Sequence, residues 1–496
     1  MAKFPQIIQG GMGVGVSNWR LAQAVSRLGQ LGVVSGTALD QVFVRRLADG
    51  DKDGHMRRGL DAFPFPEIAR RLWNEYFVYG GKPEGAPYPT TGMHQHREPR
   101  KLAELCMAAN FVEVFLAREG HRNPVGINFL EKVQLPHLAS IYGAMLAGVG
   151  YVLMGAGIPL HIPGVLDAFA LQHPAEYKLS VTGAQPGHGE IAPLRFDPAD
   201  FAGGRPLSPL TRPQFLAIVS SNTLAATMLR RANGTVNGLI VENPTAGGHN
   251  APPRGKLQLN ATGEPIYGER DRVDLTELRK LGAPFWLAGG YGSRAALAEA
   301  LAQGAAGVQV GTAFAFSRES GLREDLKIEL IAQAAAGIAR VSTDPLASPT
   351  GFPFKVAQLD GSLSSTDASA QRARLCDLGY LREAYAAPGG SVAYRCAAEP
   401  VDAYLSKGGS LEATIGRKCL CNSLMANIGH AQIRKDGTTE LPLVTLGDDL
   451  NIVARFLAPG QTTYSAADVV NVLLGLDRTS SEHCVTLPDP ELAVQV

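Results

Sequence analysis

Apolar positions in the first two thirds of the chain repeat one pattern: a short β-branched run, a loop, an amphipathic segment, then a glycine before the next run. Eight such runs predict strands centred on Ile7-Ile8, Val33-Val34, Val125 to Phe129, Tyr151 to Met154, Phe215 to Val219, Gly238 to Val241, Phe285 to Leu287 and Gly307 to Val310. Strands that are apolar on both faces and alternate with helices point to a closed parallel sheet sheathed in helices, the (β/α)₈ or TIM barrel. Helix punctuation agrees with the strands. Asn18 is placed to cap Trp19 to Leu28, Asn222 to cap Thr223 to Ala232, and Ser293 to cap Arg294 to Gln303, with Gly29 and Gly304 as stops.

Three stretches break the rhythm. Residues 50–98, rich in Pro, Gly, His and aromatics, are too long for a plain connection and are expected to form a lid over one barrel end. Residues 183–213 make a second Pro- and Gly-rich insertion, expected as a hairpin beside the fifth strand. The repeat stops near residue 340. The expected organisation is therefore a barrel over 1–340 and an extension over 341–496 that packs on it.

Composition narrows the function classes. The chain is 45% hydrophobic and 19% charged over 496 residues, as in a packed globular protein. Lys plus Arg equals Asp plus Glu at 46 each, so no long-range field favours nucleic acid or an anionic membrane, and small-molecule partners are expected. The first residues lack a signal-peptide core, and apolar runs end before a bilayer-spanning length. With six cysteines in a chain this long, a reducing, cytoplasmic setting is expected. Self-association is left open.

Chemistry gathers at the predicted C-terminal ends of strands, the face where barrel enzymes build their sites. Strands seven and eight run into Gly289-Gly290 and Gly311-Thr312. Loops after these two strands commonly bind phosphate, because glycine lets backbone N–H groups approach closely and a helix N-terminus adds positive potential. The Gln9-Gly-Gly-Met-Gly-Val-Gly15 loop follows strand one. Its spacing never gives Gly-x-Gly-x-x-Gly, and strand two ends in Ser35-Gly36 where a ribose-binding acid is needed, so a Rossmann reading fails. After strand six, Val241-Glu-Asn-Pro-Thr-Ala-Gly-Gly-His249 places His249 on a loop at the barrel mouth, suited to proton transfer near neutral pH.

Four pieces, Gln9-Gly-Gly-Met12, Ala246-Gly-Gly-His249, Ala288-Gly-Gly290 and Gln309-Val-Gly-Thr312, resemble the nitronate monooxygenases, formerly 2-nitropropane dioxygenases, and related flavin-dependent enoyl-thioester reductases. The resemblance covers residues 1 to about 340. It implies a flavoprotein holding FMN, with Gly11, Met12 and Gly13 at the flavin ring, Asn128 hydrogen-bonded to it, Gly247 and Gly248 approaching it, Gly289, Gly290, Gly311 and Thr312 on its phosphate, and His249 as acid or base. It implies an oxidoreductase using O2 or NAD(P)H as co-substrate, with oxidation of alkyl nitronates to a carbonyl compound and nitrite as the leading activity. NAD(P)H-dependent reduction of enoyl thioesters or quinones is the alternative, and a flavin-binding scaffold or sensor the reading of another class. Both insertions, the long C-terminal region and Glu242-Asn-Pro depart from the family pattern.

Two clusters are set aside as metal sites. Cys376, Cys396, Cys419 and Cys421 fall within 46 residues, but a C-x-C pair with two distant cysteines lacks the paired knuckles of structural zinc, and free buried thiols are expected. His94 and His96 are expected as a solvated or lid-lining pair. Arg254 and Lys256 are placed to steer an anionic substrate or to be ordinary surface charges.

Overall fold

The computed structural model describes residues 4–184, 191–388 and 390–476. Eight parallel strands lie at the predicted places: β1 (Ile7–Gln9), β2 (Gly32–Ser35), β3 (Val125–Leu130), β4 (Tyr151–Gly155), β5 (Gln214–Val219), β6 (Gly238–Glu242), β7 (Phe285–Ala288) and β8 (Gly307–Val310). They pair in sequence order from β2 to β8, and β8 returns to β1 with Ile7 opposite Val308 and Gln9 opposite Val310. Gln9 N donates to Leu31 O at 2.9 Å and Leu31 N to Ile7 O at 3.1 Å, which closes the ring between β1 and β2. The chain is a (β/α)₈ barrel.

Its helices are α1 (Trp19–Arg27), α2 (Arg100–Arg118), α3 (His137–Leu146), α4 (Ile162–Ala170), α5 (Asn222–Arg231), α6 (Leu275–Arg279), α7 (Arg294–Ala302) and α8 (Glu324–Ala335). Asn18 and Ser293 cap α1 and α7 as expected, accepting from Leu21 N and Ala296 N. For α5 the cap is Ser221, which accepts from Leu224 N. Asn222 instead exchanges hydrogen bonds with the backbone of Asp274, because a side chain inside the first turn points outward to the neighbouring loop.

Strand residues alternate between two cores. Ile8, Leu31, Val33, Leu153, Leu216, Ile240 and Trp286 fill the barrel interior. Ile7, Val34, Ile127, Val152, Phe215, Val241, Leu287 and Val308 face the helices. Trp286 plugs the lower end, donating from Nε1 to Pro5 O at 2.8 Å.

Both insertions depart from expectation. Residues 50–98 carry two helices, His55–Asp61 and Pro66–Tyr76, that pack against α2 on the barrel flank. Met56, Leu60, Phe63, Phe65 and Leu72 bury there, because these apolar side chains need a helical wall. The loop that follows carries His94, which is buried, not solvated. It bridges Asp40 (3.1 Å) and Glu98 (2.6 Å), and Tyr380 donates to the other oxygen of Asp40 at 2.6 Å. Burial opposes a charge on His94, but its two carboxylate partners outweigh that and raise its pKa to about 10. The His96 ring meets the backbone carbonyl of Ala192, and its backbone N–H donates to the Tyr394 hydroxyl. The second insertion does make a hairpin, but from Ala175–Tyr177 and Leu194–Phe196, against α3 and α4 instead of β5. Part of its connection, 185–190, lies outside the described residues.

Beyond residue 340 the chain wraps the barrel. A hairpin of Val341–Asp344 and Phe354–Ala357 bridges the loop after β6, where Lys355 N donates to Gly248 O at 3.0 Å. A second hairpin pairs Glu383–Ala386 with Val392–Arg395, and helix Ala466–Leu474 packs against α1 and α7. Among the described residues no helix is long and apolar enough to cross a membrane.

Candidate active site

The period of two that fills the barrel also builds the floor of its mouth. One step above Val33, Leu153, Leu216, Ile240 and Trp286 stand Ser35, Gly155, Ile218, Glu242 and Ala288, joined by Asn128 and Gln309. All seven line one cavity, together with Gly10 to Val14 and the glycines after β6, β7 and β8. Gln309 and Glu242 were missed as site residues. A polar side chain on the inward face of an otherwise apolar strand was the available signal.

The loop after β1 is held rigid from below. Ser17 Oγ accepts from Met12 N and Gln9 Nε2, both at 2.8 Å, and Gln9 Oε1 accepts from Val33 N at 3.0 Å. Gly13 sits at φ +57°, a conformation glycine adopts without strain. At Gly11 a Cβ would stand 2.1 Å from Asn128 Oδ1, so backbone and side chain meet in direct contact. Asn128 Nδ2 donates to Gly11 O at 3.1 Å. Its Oδ1 is buried without a partner, as is Gln309 Oε1. Two unpaired acceptors at the floor of a glycine-walled cavity fit a flat ligand that carries an N–H donor, such as a flavin ring.

The predicted phosphate residues Gly289, Gly290, Gly311 and Thr312 come together on the same cavity with Gly247 and Gly248. Gly248 and Gly290 have positive φ and no atom within 3.6 Å of an added Cβ, the nearest being Thr245 Oγ1 at 3.7 Å from Gly290, so their open faces border the cavity. The helix beginning at Thr312 is only four residues long, and contributes little dipole. A strap from the C-terminal region lies here instead. Gly447 N donates to Thr312 Oγ1 at 2.9 Å, Gly248 N to Thr445 Oγ1 at 2.8 Å, and Asp448 N to Thr245 O at 3.1 Å. Thr312 thus accepts from the strap and keeps its own proton to donate. Asp448 brings a negative charge to this pole, and Lys355 neutralises it at 2.6 Å.

His249 is half-buried on the cavity wall, its ring edge-on to Phe354 with centroids 4.9 Å apart. Nε2 meets Ser348 Oγ at 2.7 Å, and Ser348 Oγ meets Thr350 Oγ1 at 2.8 Å. Burial, then the charge of Lys132, lowers its pKa to about 3, which keeps the imidazole neutral. Burial also raises Glu242 to about 7 and lowers Lys132 to about 7. The expected lid is absent from this cavity: residues 50–98 contribute nothing to its lining, and Phe354, Tyr380, Leu381, Cys421, Leu424 and 445–449 cover it. Arg254 and Lys256 do not reach it either. Arg254 lies at a separate small cleft, where its N–H donates to Asp271.

Residues 206–344, which span β5 to β8 and the histidine loop, match the sequence pattern of the family described as nitronate monooxygenase. The barrel is nitronate monooxygenase-like. FabK from Thermotoga maritima aligns at 16% identity and a TM-score of 0.47, over 96% of this chain and 92% of that one. Nitroalkane oxidase from Streptomyces ansochromogenes aligns at 15% identity and a TM-score of 0.44, over 95% of each. No curated protein matches in sequence.

Proposed function

We propose that this nitronate monooxygenase-like barrel binds FMN and oxidises alkyl nitronates with O2 to a carbonyl compound and nitrite. The observation that carries this reading is the neutral His249 on the wall of a glycine-lined cavity whose floor holds the unpaired acceptors of Asn128 and Gln309. When bound, the flavin supplies the electron-transfer step and the reaction with oxygen. Gly11, Met12 and Gly13 let backbone approach its ring, and Asn128 and Gln309 accept its N–H. Gly247 and Gly248 flank it, while Gly289, Gly290, Gly311 and Thr312 receive the phosphate.

His249 is the proton-handling group. Ser348 Oγ meets both Nε2 of His249 and Thr350 Oγ1, which leaves Nδ1 as the ring position open to a substrate. A group whose pKa is about 3 is too weak a base to strip a neutral nitroalkane efficiently. An arriving nitronate needs no such step. With Nε2 held by Ser348, the neutral ring meets the anion through Nδ1–H.

Nitrite release and oxygen uptake are the readouts. The wild type is expected to turn over an alkyl nitronate at least ~10-fold faster than the parent nitroalkane. His249→Asn is expected to keep its flavin and lose about 10²–10⁴-fold in turnover. Full turnover in that variant would remove His249 from the mechanism, and no nitrite from any nitronate would overturn the function.

A further inference from the structure

Free buried thiols are what the cysteine spacing predicts after residue 340, and all four are free, but the fold brings them together. Cys376, Cys396, Cys419 and Cys421 all line one cavity of about 10 Å³. They arrive from three places: the segment before Tyr380, the end of strand Val392–Arg395, and the start of helix Leu420–Ala426. The gap has room for one atom-sized occupant, and a four-iron cluster is too large for it.

Burial pushes the Cys419 and Cys421 thiols up, and the Cys376 contact together with burial pushes up that of Cys396, so without a metal these three stay protonated; the polar groups around them act the other way. Backbone N–H groups donate to all three: Ala398 to Cys396, Asn422 to Cys419, and Tyr380 with Leu381 to Cys421. Asn422 Nδ2 adds a contact to Cys419 Sγ at 3.6 Å. Cys376 and Cys396 are hydrogen-bonded to each other, which pulls the Cys376 thiol down and pushes that of Cys396 up. Arg374 acts on Cys396 and Arg382 on Cys376. Among the described residues neither arginine has a carboxylate partner. Arg374 donates to the carbonyls of Ala397 and Thr414, and Arg382 to those of Gly379 and His94. Positive charge and N–H donors around four sulfurs offset an anionic metal–thiolate centre.

We propose that Cys376, Cys396, Cys419 and Cys421 bind a single zinc ion as a tetrahedral four-thiolate site. Among the described residues no group of three or more His, Cys, Asp or Glu side chains already stands in a metal-holding arrangement. The four thiols ring the gap, and the ion draws their sulfurs to about 2.3 Å by side-chain rotation as their protons leave to solvent. Cys421, with its neighbours Tyr380 and Leu381, also lines the barrel cavity. Zinc therefore pins the cover of the flavin-binding mouth to the rest of the C-terminal region.

The test uses the full chain purified without chelator or affinity metal. Elemental analysis is expected to give about one zinc per chain, released by a thiol-specific mercurial. Exchange with Co²⁺ is expected to produce thiolate charge-transfer bands and tetrahedral d–d bands at the red end of the spectrum, beyond flavin absorption. Cys396→Ser and Cys421→Ser are expected to lose those bands. Cys106→Ser on α2, whose thiol lies against Ser140 of α3, keeps them. Wild-type protein holding less than about a tenth of an equivalent of zinc, with four freely titrating thiols and no tetrahedral cobalt spectrum, overturns the proposal even if the serine variants do not fold. Iron and sulfide in stoichiometric amounts overturn it as well.

Discussion

The barrel and the region beyond residue 340 contribute to the same cavity in unlike ways. The barrel supplies its floor and walls by repetition: the strands set their inward residues in one top layer, and the loops after β1, β6, β7 and β8 add glycines above it. The C-terminal region supplies isolated contacts: Ser348 and Phe354 against His249, Tyr380 and Cys421 over the mouth, and the 445–449 strap across Thr312. The comparison teaches that cofactor geometry resides in the repeat, while closure and tuning reside in the wrap. Changes in the first are expected to act on what binds, and changes in the second on how tightly and at what pH.

The largest expected effect lies at the seam. His94→Leu removes the cation between Asp40 and Glu98, the point where helix Leu39–Ala48, the first insertion and Tyr380 of the wrap are joined. Breaking a buried ion pair costs about 3–5 kcal/mol, read as a lower midpoint in urea unfolding. Because the folded pKa of His94 is raised from 6.5 to about 10, its contribution is fully present below pH 6.5 and lost as pH rises towards 10. The gap between wild type and variant is thus expected to narrow in alkali.

Gly247→Val tests the barrel's contact with the strap. A Cβ there would stand 2.7 Å from the carbonyl carbon of Leu446, which cannot yield as a side chain can. Overpacking of about 1–3 kcal/mol predicts roughly tenfold to hundredfold weaker flavin retention, measured by dialysis, with secondary structure intact. Unaltered retention separates the strap from cofactor binding.

Lys355→Met strips Asp448 of its partner at the phosphate pole. About tenfold weaker flavin binding is expected, recovering with added salt as the bare carboxylate is screened. A loss that salt does not relieve assigns Lys355 a packing role.

The smallest effect belongs to Glu242. Its folded pKa of about 7 exceeds the ordinary 4.5, so ionisation disfavours the fold, and that cost grows as pH rises from 4.5 through 7. Glu242→Gln is expected to stabilise the flavin-free protein by on the order of 1 kcal/mol at pH 8, allowing for its partial exposure, and by nothing at pH 4. Thermal melts at the two pH values check this.

The barrel was legible because its rules are local. Alternation, caps and glycine stops sit within a few residues of what they specify, and the paired glycine loops belong to adjacent strands. The wrap was not, because its contacts join residues far apart in the chain: Gly447 with Thr312, Ser348 with His249, Tyr380 with Asp40. The lid was assigned to residues 50–98 from length and composition, but their apolar helix faces found the flank of α2. Gln309 and Glu242 were readable in principle, as polar residues in phase with the interior positions of β8 and β6. The cysteines show the opposite limit, since spacing separates side chains that the fold gathers on one gap.

The most direct test of the central claim is the visible spectrum under anaerobic titration. The purified protein is expected to show a bound-flavin spectrum that an alkyl nitronate bleaches without oxygen and that air restores. Bleaching by NAD(P)H but not by nitronate would contradict nitronate oxidation and make the protein a reductase; a colourless chain that cannot be reconstituted with FMN would contradict the flavin site itself.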